Sequence, residues 1–535
     1  MRLLMILVAF SAAFLAAPAD AQPLPDSLRS AGVTQAQWDA ISRQARAQAR
    51  RANVSEAALI AAAEAASRNL AASGRIDADA LQQTILDALR GQAEQIAELQ
   101  RRLDALTGDD DAPVAALFQQ ARAALNEGRL DDADRLLADV AASDLTAIRD
   151  ADAEAERRRL RAGETIASRG QVAFVQADYR LAAEHYARAA EVVPQAAIER
   201  RWAYRRGQAE ALFQRGERFV EPAALAEAVQ VYESAVLPLA PRETRPSDWA
   251  QTHVGLANIR VVQANRGDVA ALAAAEQGYA AAVGAFEEVG DRAGVARAQI
   301  GLGNVFRLQG VRGSAGALVR AVGAYEAALR VRTREADPAG WARLQSALGG
   351  VSVIQGRRGV PGALERAVTA FEAALEVFTA ESDPLDWAQT QTNLGVALTS
   401  LGEGGGSTRV LTRAVAAFEA ALTVMTREAY PAGWALTQMN LGNAQVELGE
   451  RGVDGAFERA VAAYQAALTV MTRAADPSGW TQLQINLAWA NFFMGRNADA
   501  RAAAQAALEG AQQINDRALV TDARNLLARV QAAGD

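Results

Sequence analysis

Two histidines and no cysteine leave this chain little transition-metal or nucleophilic chemistry. His185 and His253 are the only imidazoles, whereas a zinc or copper site needs three or four nitrogen or sulfur donors brought together. Carboxylates are plentiful, and Asp131, Asp132 and Asp134 form a dense group. Acidic residues spaced this way read as a solvated helix face, and no acid/base pair stands out from the rest. The glycine-rich GEGGGS at 402–407 carries no Lys to hold a phosphate, and no GxSxG or dinucleotide fingerprint occurs. The expectation is a non-enzymatic chain with no catalytic residue, no metal and no cofactor. The side chains with the most suggestive spacing are amides. Asn258, Asn304 and Asn443 fall in one column, and Asn393, Asn440 and Asn486 in another, three residues earlier. Three residues along a helix reach an adjacent face. An amide both donates and accepts, so a ladder of them can hold a peptide backbone without reading its sequence. The same amides could instead bond between neighbouring units. A glutamine column, Gln299, Gln345, Gln391, Gln438 and Gln484, falls at a packing position.

Those columns exist because the chain repeats. DPLDWAQTQTNLGVAL from Asp383 recurs as DPAGWARLQSALGGVS from Asp337, YPAGWALTQMNLGNAQ from Tyr430 and DPSGWTQLQINLAWAN from Asp476. Trp202, Trp249, Trp341, Trp387, Trp434 and Trp480 keep a step of 46 or 47 residues, with Val295 in the one missing slot. A second signature follows each time, as in GALERAVTAFEAALEV from Gly362, and its aromatic runs Tyr186, Tyr232, Tyr279, Tyr325, Phe371, Phe418, Tyr464. Leu364, Ala367, Val368, Phe371, Ala374 and Leu375 make one apolar stripe at helical spacing. In the first signature Asp383 suits an N-cap and Pro384 the first turn. Gly310, Gly356, Gly402 and Gly449 read as the residues that end the helix. Each unit is then two helices joined by a glycine-containing loop, unable to bury its apolar faces without neighbours. The Trp is expected as a buried wedge against the preceding unit.

Asn393-Leu394-Gly395 in the first helix and Ala414, Phe418 and Ala421 in the second resemble the tetratricopeptide repeat (TPR) pattern. Gly170, Ala182, Tyr186, Ala189 and Pro194 nearly meet that family's 34-residue unit, and the later units are about a dozen residues longer. The chain is most similar to the long-period TPR arrays of bacterial proteins. The resemblance implies an all-α fold, an α-solenoid of stacked TPR-like hairpins whose first helices line a concave groove that holds a peptide. About nine hairpins fit between 113 and 515, with 516–535 as a capping helix.

The start of the chain is different. Residues 1–21 read as a signal peptide: Arg2, an apolar stretch from Leu3 to Ala17, and a small-residue cleavage site at Ala19-Asp20-Ala21. Residues 22–112 read as a helical segment. Within 78–106, Ile85, Leu89, Gln92, Ile96, Leu99, Leu103 and Leu106 form a short heptad seam. That seam could join copies of the chain into a homo-oligomer or dock on the first repeat. Signal peptide, coiled coil and repeats in this order are similar in layout to a Tol-associated periplasmic family that trimerises and coordinates envelope constriction. All 55 basic residues are Arg and the net charge is −8, against a general nucleic-acid or anionic-membrane binder. No later stretch is apolar enough to span a membrane. The sequence therefore points to a periplasmic or secreted scaffold with a peptide or protein partner. A structural homo-oligomer of the cell envelope and a regulatory subunit of an envelope enzyme are the alternatives.

Overall fold

The computed structural model describes residues 23–30, 33–72, 78–106, 112–147 and 153–534. The expected signal peptide lies outside the described residues. Every described element is helical. Four helices open the chain: α1 (Asp26–Ser30), α2 (Gln35–Ala52), α3 (Glu56–Ala72) and α4 (Ala78–Leu106). Next come α5 (Ala112–Asn126) with α6 (Leu130–Ala147), α7 (Ala153–Val175) with α8 (Tyr179–Val192), and α9 (Ile198–Arg218) with α10 (Pro222–Val231). The longer units follow: α11 (Pro246–Asn265) with α12 (Val269–Glu288), α13 (Arg292–Val311) with α14 (Ala315–Leu329), and α15 (Pro338–Arg357) with α16 (Ala363–Leu375). The array ends with α17 (Pro384–Glu403) and α18 (Thr408–Leu422), α19 (Pro431–Glu450) and α20 (Ala456–Leu468), α21 (Pro477–Phe493) and α22 (Asn497–Gln513), closed by α23 (Arg517–Gly534). Successive helices pack antiparallel and each hairpin stacks on the next, which is an α-solenoid.

Local chemistry explains the boundaries. Asp337 and Asp476 accept from the amides of Gly340 and Gly479 at 2.9 Å, each capping a helix whose first residue is Pro. Asp383 holds the equivalent position but makes no cap bond. Its carboxylate is buried, 2% exposed, and pairs with Arg51 of α2. The four glycines read as helix terminators correct that reading: Gly310, Gly356, Gly402 and Gly449 all lie inside their helices. The residues with positive φ are Gly313, Gly359, Gly405 and Gly452, three positions later. The earlier glycines serve packing instead. A Cβ on Gly356 or Gly402 would stand 2.5 or 2.3 Å from Leu364 or Leu411 at the start of the second helix.

The Leu-Gly glycines act in the same way about two turns deeper. A Cβ at Gly395 would meet the Phe418 ring at 2.6 Å, and one at Gly349 the Phe371 ring at 2.7 Å. The second-helix aromatics can therefore lie flat against the first helix, and Tyr232, Tyr325, Phe371, Phe418 and Tyr464 are fully buried. The tryptophans depart from expectation. Trp202 is buried, but Trp249, Trp341, Trp387, Trp434 and Trp480 are half-buried. Arg242, Arg334 and Arg473 each lie over the ring seven residues ahead, at 5.1, 5.6 and 5.3 Å. At these three positions the wedge is an edge seal with one face beneath a guanidinium.

The heptad helix takes the docked one of its two expected arrangements. Ile85, Leu89, Gln92, Ile96, Leu99 and Leu103 are all buried within the single chain. α4 packs against α2, α3, α5 and α7. The Gln92 amide donates to the Val175 carbonyl at 3.1 Å, and Gln171 donates to the Gln95 carbonyl at 2.9 Å. A seam buried this way has no surface left for a second copy, so the docked arrangement is the one observed. The array also turns far enough for α2 to meet the starts of α17 and α19. There Leu385, Ala388 and Tyr430 join the core of the N-terminal helices. Among the described residues, only α12 is long and apolar enough to cross a membrane, and it is packed between α11 and α13.

Candidate functional site: the first-helix face

The first helices form one continuous face, and two cavities open on it. The N-terminal cavity, about 520 Å³, is walled by α4 on one side and by α7, α9, α11 and α13 on the other. Glu98 and Arg102 of α4 lie opposite Arg206, Glu210 and Asn258. Burial pushes the Glu210 carboxyl above its ordinary range. The chain's own helix thus occupies the start of the groove. The C-terminal cavity, about 530 Å³, lies between α17, α19 and α21, with Tyr464 of α20 and Arg529 of α23 at its edges. Its floor and walls include Met439, Asn443, Asn486, Trp489 and Phe493, and its rim carries Glu403, Glu447 and Glu450.

The six asparagines are divided by their surroundings. In the Leu-Gly-aligned column, Asn258, Asn304 and Asn443 each accept through Oδ1 from the tyrosine hydroxyl 21 residues on, Tyr279, Tyr325 and Tyr464. The last two bonds measure 2.7 Å. Where that aromatic is Phe371 or Phe418, the column holds Gly350 or Val396. The column is therefore a set of partners for buried phenols, bonded within each hairpin. In the earlier column Asn486 donates to Asn443 Oδ1 at 3.0 Å and accepts from Gln482 at 3.0 Å. Asn393 is exposed and Asn440 half-buried. Of the six, Asn443 and Asn486 are brought together in the C-terminal cavity; Asn258 lies in the N-terminal one; Asn304, Asn393 and Asn440 line neither.

Three features escaped the sequence reading. The first is an arginine ladder. Arg266, Arg312, Arg358 and Arg451, each just before a positive-φ glycine, donate to the carbonyls of Glu217, Ala264, Gly310 and Gly402 in the preceding repeat, at 2.6–2.8 Å. The signal was present as Arg-Gly pairs at the repeat period. GEGGGS interrupts it, with Gly404 where the ladder arginine would stand. The second is Trp489, which occupies the asparagine column in the last repeat and stacks on Phe493 at 5.7 Å. The third is the pairing of Arg51 with the buried Asp383, partners too far apart in sequence to be matched.

The histidines remain apart in role as in sequence. His253 lies on Trp249 with ring centroids 3.9 Å apart, and His185 packs against α7 beside Gly170. Burial pulls both imidazoles below their ordinary pKa. Among the described residues no group of three or more His, Asp or Glu side chains is placed to hold a metal ion.

Fold and groove together define a TPR-like α-solenoid. No family model matches the chain, and no curated protein matches it. Solved repeat proteins do. A monomeric IFIT1 mutant with m7Gppp-AAAA is 13% identical, covering 95% of this chain and 99% of its own, with a TM-score of 0.42. The APC/C hetero-tetramer Cut9-Hcn1 gives 14% identity, 84% and 96% coverage and a TM-score of 0.33. The TPR2AB domain of yeast Sti1 in its pHSP90 complex gives 14%, 69%, 98% and 0.22. The likeness is one of repeat architecture, and no ligand or partner comes over with it.

Proposed function

We propose that the chain is an exported, non-catalytic scaffold that holds a peptide or protein segment on the first-helix face at the C-terminal end of the array. The observation that carries this is the asymmetry of the groove. Its beginning is taken up by α4, whereas α17, α19 and α21 leave a cavity of about 530 Å³ with convergent amides, carboxylates and exposed aromatic surface. A cavity that is part apolar, with a few placed polar groups, is what a binding site requires. Export rests on the composition of residues 1–21.

A photo-crosslinking amino acid tests the reading. Placed at Asn393, on the exposed first-helix face, it should capture a defined partner from envelope extract. Placed at Arg409, on exposed α18, it should not. Equal labelling from both positions would overturn the groove assignment. Cell fractionation with N-terminal sequencing tests export, with Gln22 the expected first residue.

A further inference from the structure

We propose that the C-terminal cavity is a receptor for a basic side chain, an arginine of the peptide held in the groove; this deepens the scaffold reading and rests on it. Three observations lead there. The rim is anionic: Glu403 comes from α17, and Glu447 and Glu450 from α19. Glu447 is partly matched by Arg451 at 3.2 Å, but among the described residues neither Glu403 nor Glu450 lies within ion-pair distance of an arginine. Glu403 stands next to Gly404, where four other hairpins place an arginine. Glu450 is left unpaired even with Arg451 beside it, because Arg451 donates to the Gly402 carbonyl and to Glu447.

The wall is aromatic. Trp489 and Phe493 stack at 5.7 Å with 24° between their planes, Phe493 stacks in turn on Phe457 at 5.3 Å, and Phe493 is 41% exposed. Flat aromatic surface beside carboxylates suits a guanidinium, which stacks on a ring and offers its N–H donors in plane. The molecule already realises this chemistry here: Arg529 of α23 lies over the Trp489 ring at 5.0 Å. One face of the wall is thus covered by the chain's own guanidinium, while the carboxylate rim remains open to another. The paired amides of Asn443 and Asn486 stand beside it, able to fix the backbone that carries the side chain.

The rim carboxyls should make capture pH-dependent. Burial, then Glu447, pushes Glu403 above its ordinary range, with Arg357 and Arg451 opposing; the same two causes raise Glu450, with Arg451 opposing. Arg529 faces them from α23. Binding then declines as these groups protonate on acidification.

The test uses the full mature chain and capped nonapeptides of Gly and Ala with one central Arg, Lys, norleucine or Glu, followed by ligand-observed NMR. The Arg peptide should bind about tenfold more tightly than the norleucine peptide, ahead of Lys, and the Glu peptide weakest. The doubly substituted Glu403→Gln, Glu450→Gln chain should lose most of that preference while melting as the parent does. Trp489→Leu should narrow the gap between Arg and Lys. An Arg peptide that binds no better than norleucine, or binding indifferent to both rim substitutions, would overturn the proposal. If crosslinking from Asn393 still captured a partner in that case, the basic-pocket inference would fail alone and the scaffold reading would stand.

Discussion

The tyrosine–asparagine pairing can be measured as a coupling. Tyr464 is 1% exposed and its hydroxyl donates to Asn443 Oδ1 at 2.7 Å. Replacing Asn443 by Ala leaves a buried phenol without its acceptor, which costs about 1–3 kcal/mol. Tyr464→Phe removes the hydroxyl and leaves a half-buried amide that water can reach, costing about 0.5–1.5 kcal/mol. The double substitution should cost little more than the worse single one, because removing both partners spares the orphaned group. The chain has made this change itself where Phe371 and Phe418 face Gly350 and Val396. Asn486 also donates to Asn443, but its loss is common to both Asn443 arms and cancels in a double-mutant cycle. The expected coupling is about 1 kcal/mol, read from urea unfolding of the four proteins. Thermally it corresponds to about 2–4 °C for a cooperative block of three or four repeats. Additivity within about 0.3 kcal/mol would refute the pairing and return Asn443 to the role of a free groove amide.

Other consequences follow from the packing. Phe418→Ala should cost about 3–5 kcal/mol and split the unfolding transition at that hairpin; Gly395→Ala should destabilise the same unit, with partial rescue by Phe418→Leu. Leu99→Ala should cost about 2–5 kcal/mol without changing the molar mass by light scattering, whereas a fall in mass would restore the intermolecular seam. Arg51→Ala leaves the buried Asp383 carboxylate with only the Ser382 hydroxyl as donor, so hydrogen exchange should quicken around 379–388 and along α2; unchanged protection at both would refute the clasp. Tyr186, buried and pushed up to about 12, keeps its proton longer folded than unfolded. The stability that Tyr186 contributes is therefore full below pH 10 and is lost as pH rises from there towards 12, on the order of 2 kcal/mol. Tyr186→Phe should flatten that decline in pH-dependent unfolding.

What the sequence exposed and what it hid have one physical origin. Periodicity reports which positions face a neighbour, so the hairpins, the proline-led first helices and the second-helix aromatics could be read from Trp387, Pro384 and Phe418 alone. It does not report what each neighbour is. Gly402 has the composition of a helix stop, and only the contact with Leu411 reveals a close-approach glycine. The seam of Ile85, Leu89, Ile96 and Leu99 has the spacing of a coiled coil because a helix docked on the array needs the same stripe. The asparagine columns were visible as columns, but their meaning lay in tyrosines 21 residues away on another helix. Asp383 and Arg51 are separated by 332 positions, and nothing local in either marks the other.

In a chain of near-identical hairpins the common features build the solenoid, and its individuality must come from the units that break the pattern. Most of those breaks are compensated in place: a lost phenol is matched by a lost amide at Gly350 and Val396, and a diverted cap at Asp383 is matched by Arg51. Two are not. Gly404 removes a ladder arginine and leaves Glu403 exposed beside Glu447, and Trp489 puts an indole where earlier repeats carry an amide for a tyrosine. Glu403, beside the first break, and Trp489, the second, line the same cavity. Random drift in a repeat array would scatter them, and stability would favour restoring the arginine, since four sister hairpins retain it. A charge deficit and an aromatic wall converging on one concave site are better explained by a ligand that supplies the missing cation. Returning the arginine is therefore a direct trial: Gly404→Arg should stabilise the array while weakening capture of the Arg peptide, and a variant that gained stability yet bound as before would separate the cavity from the ladder.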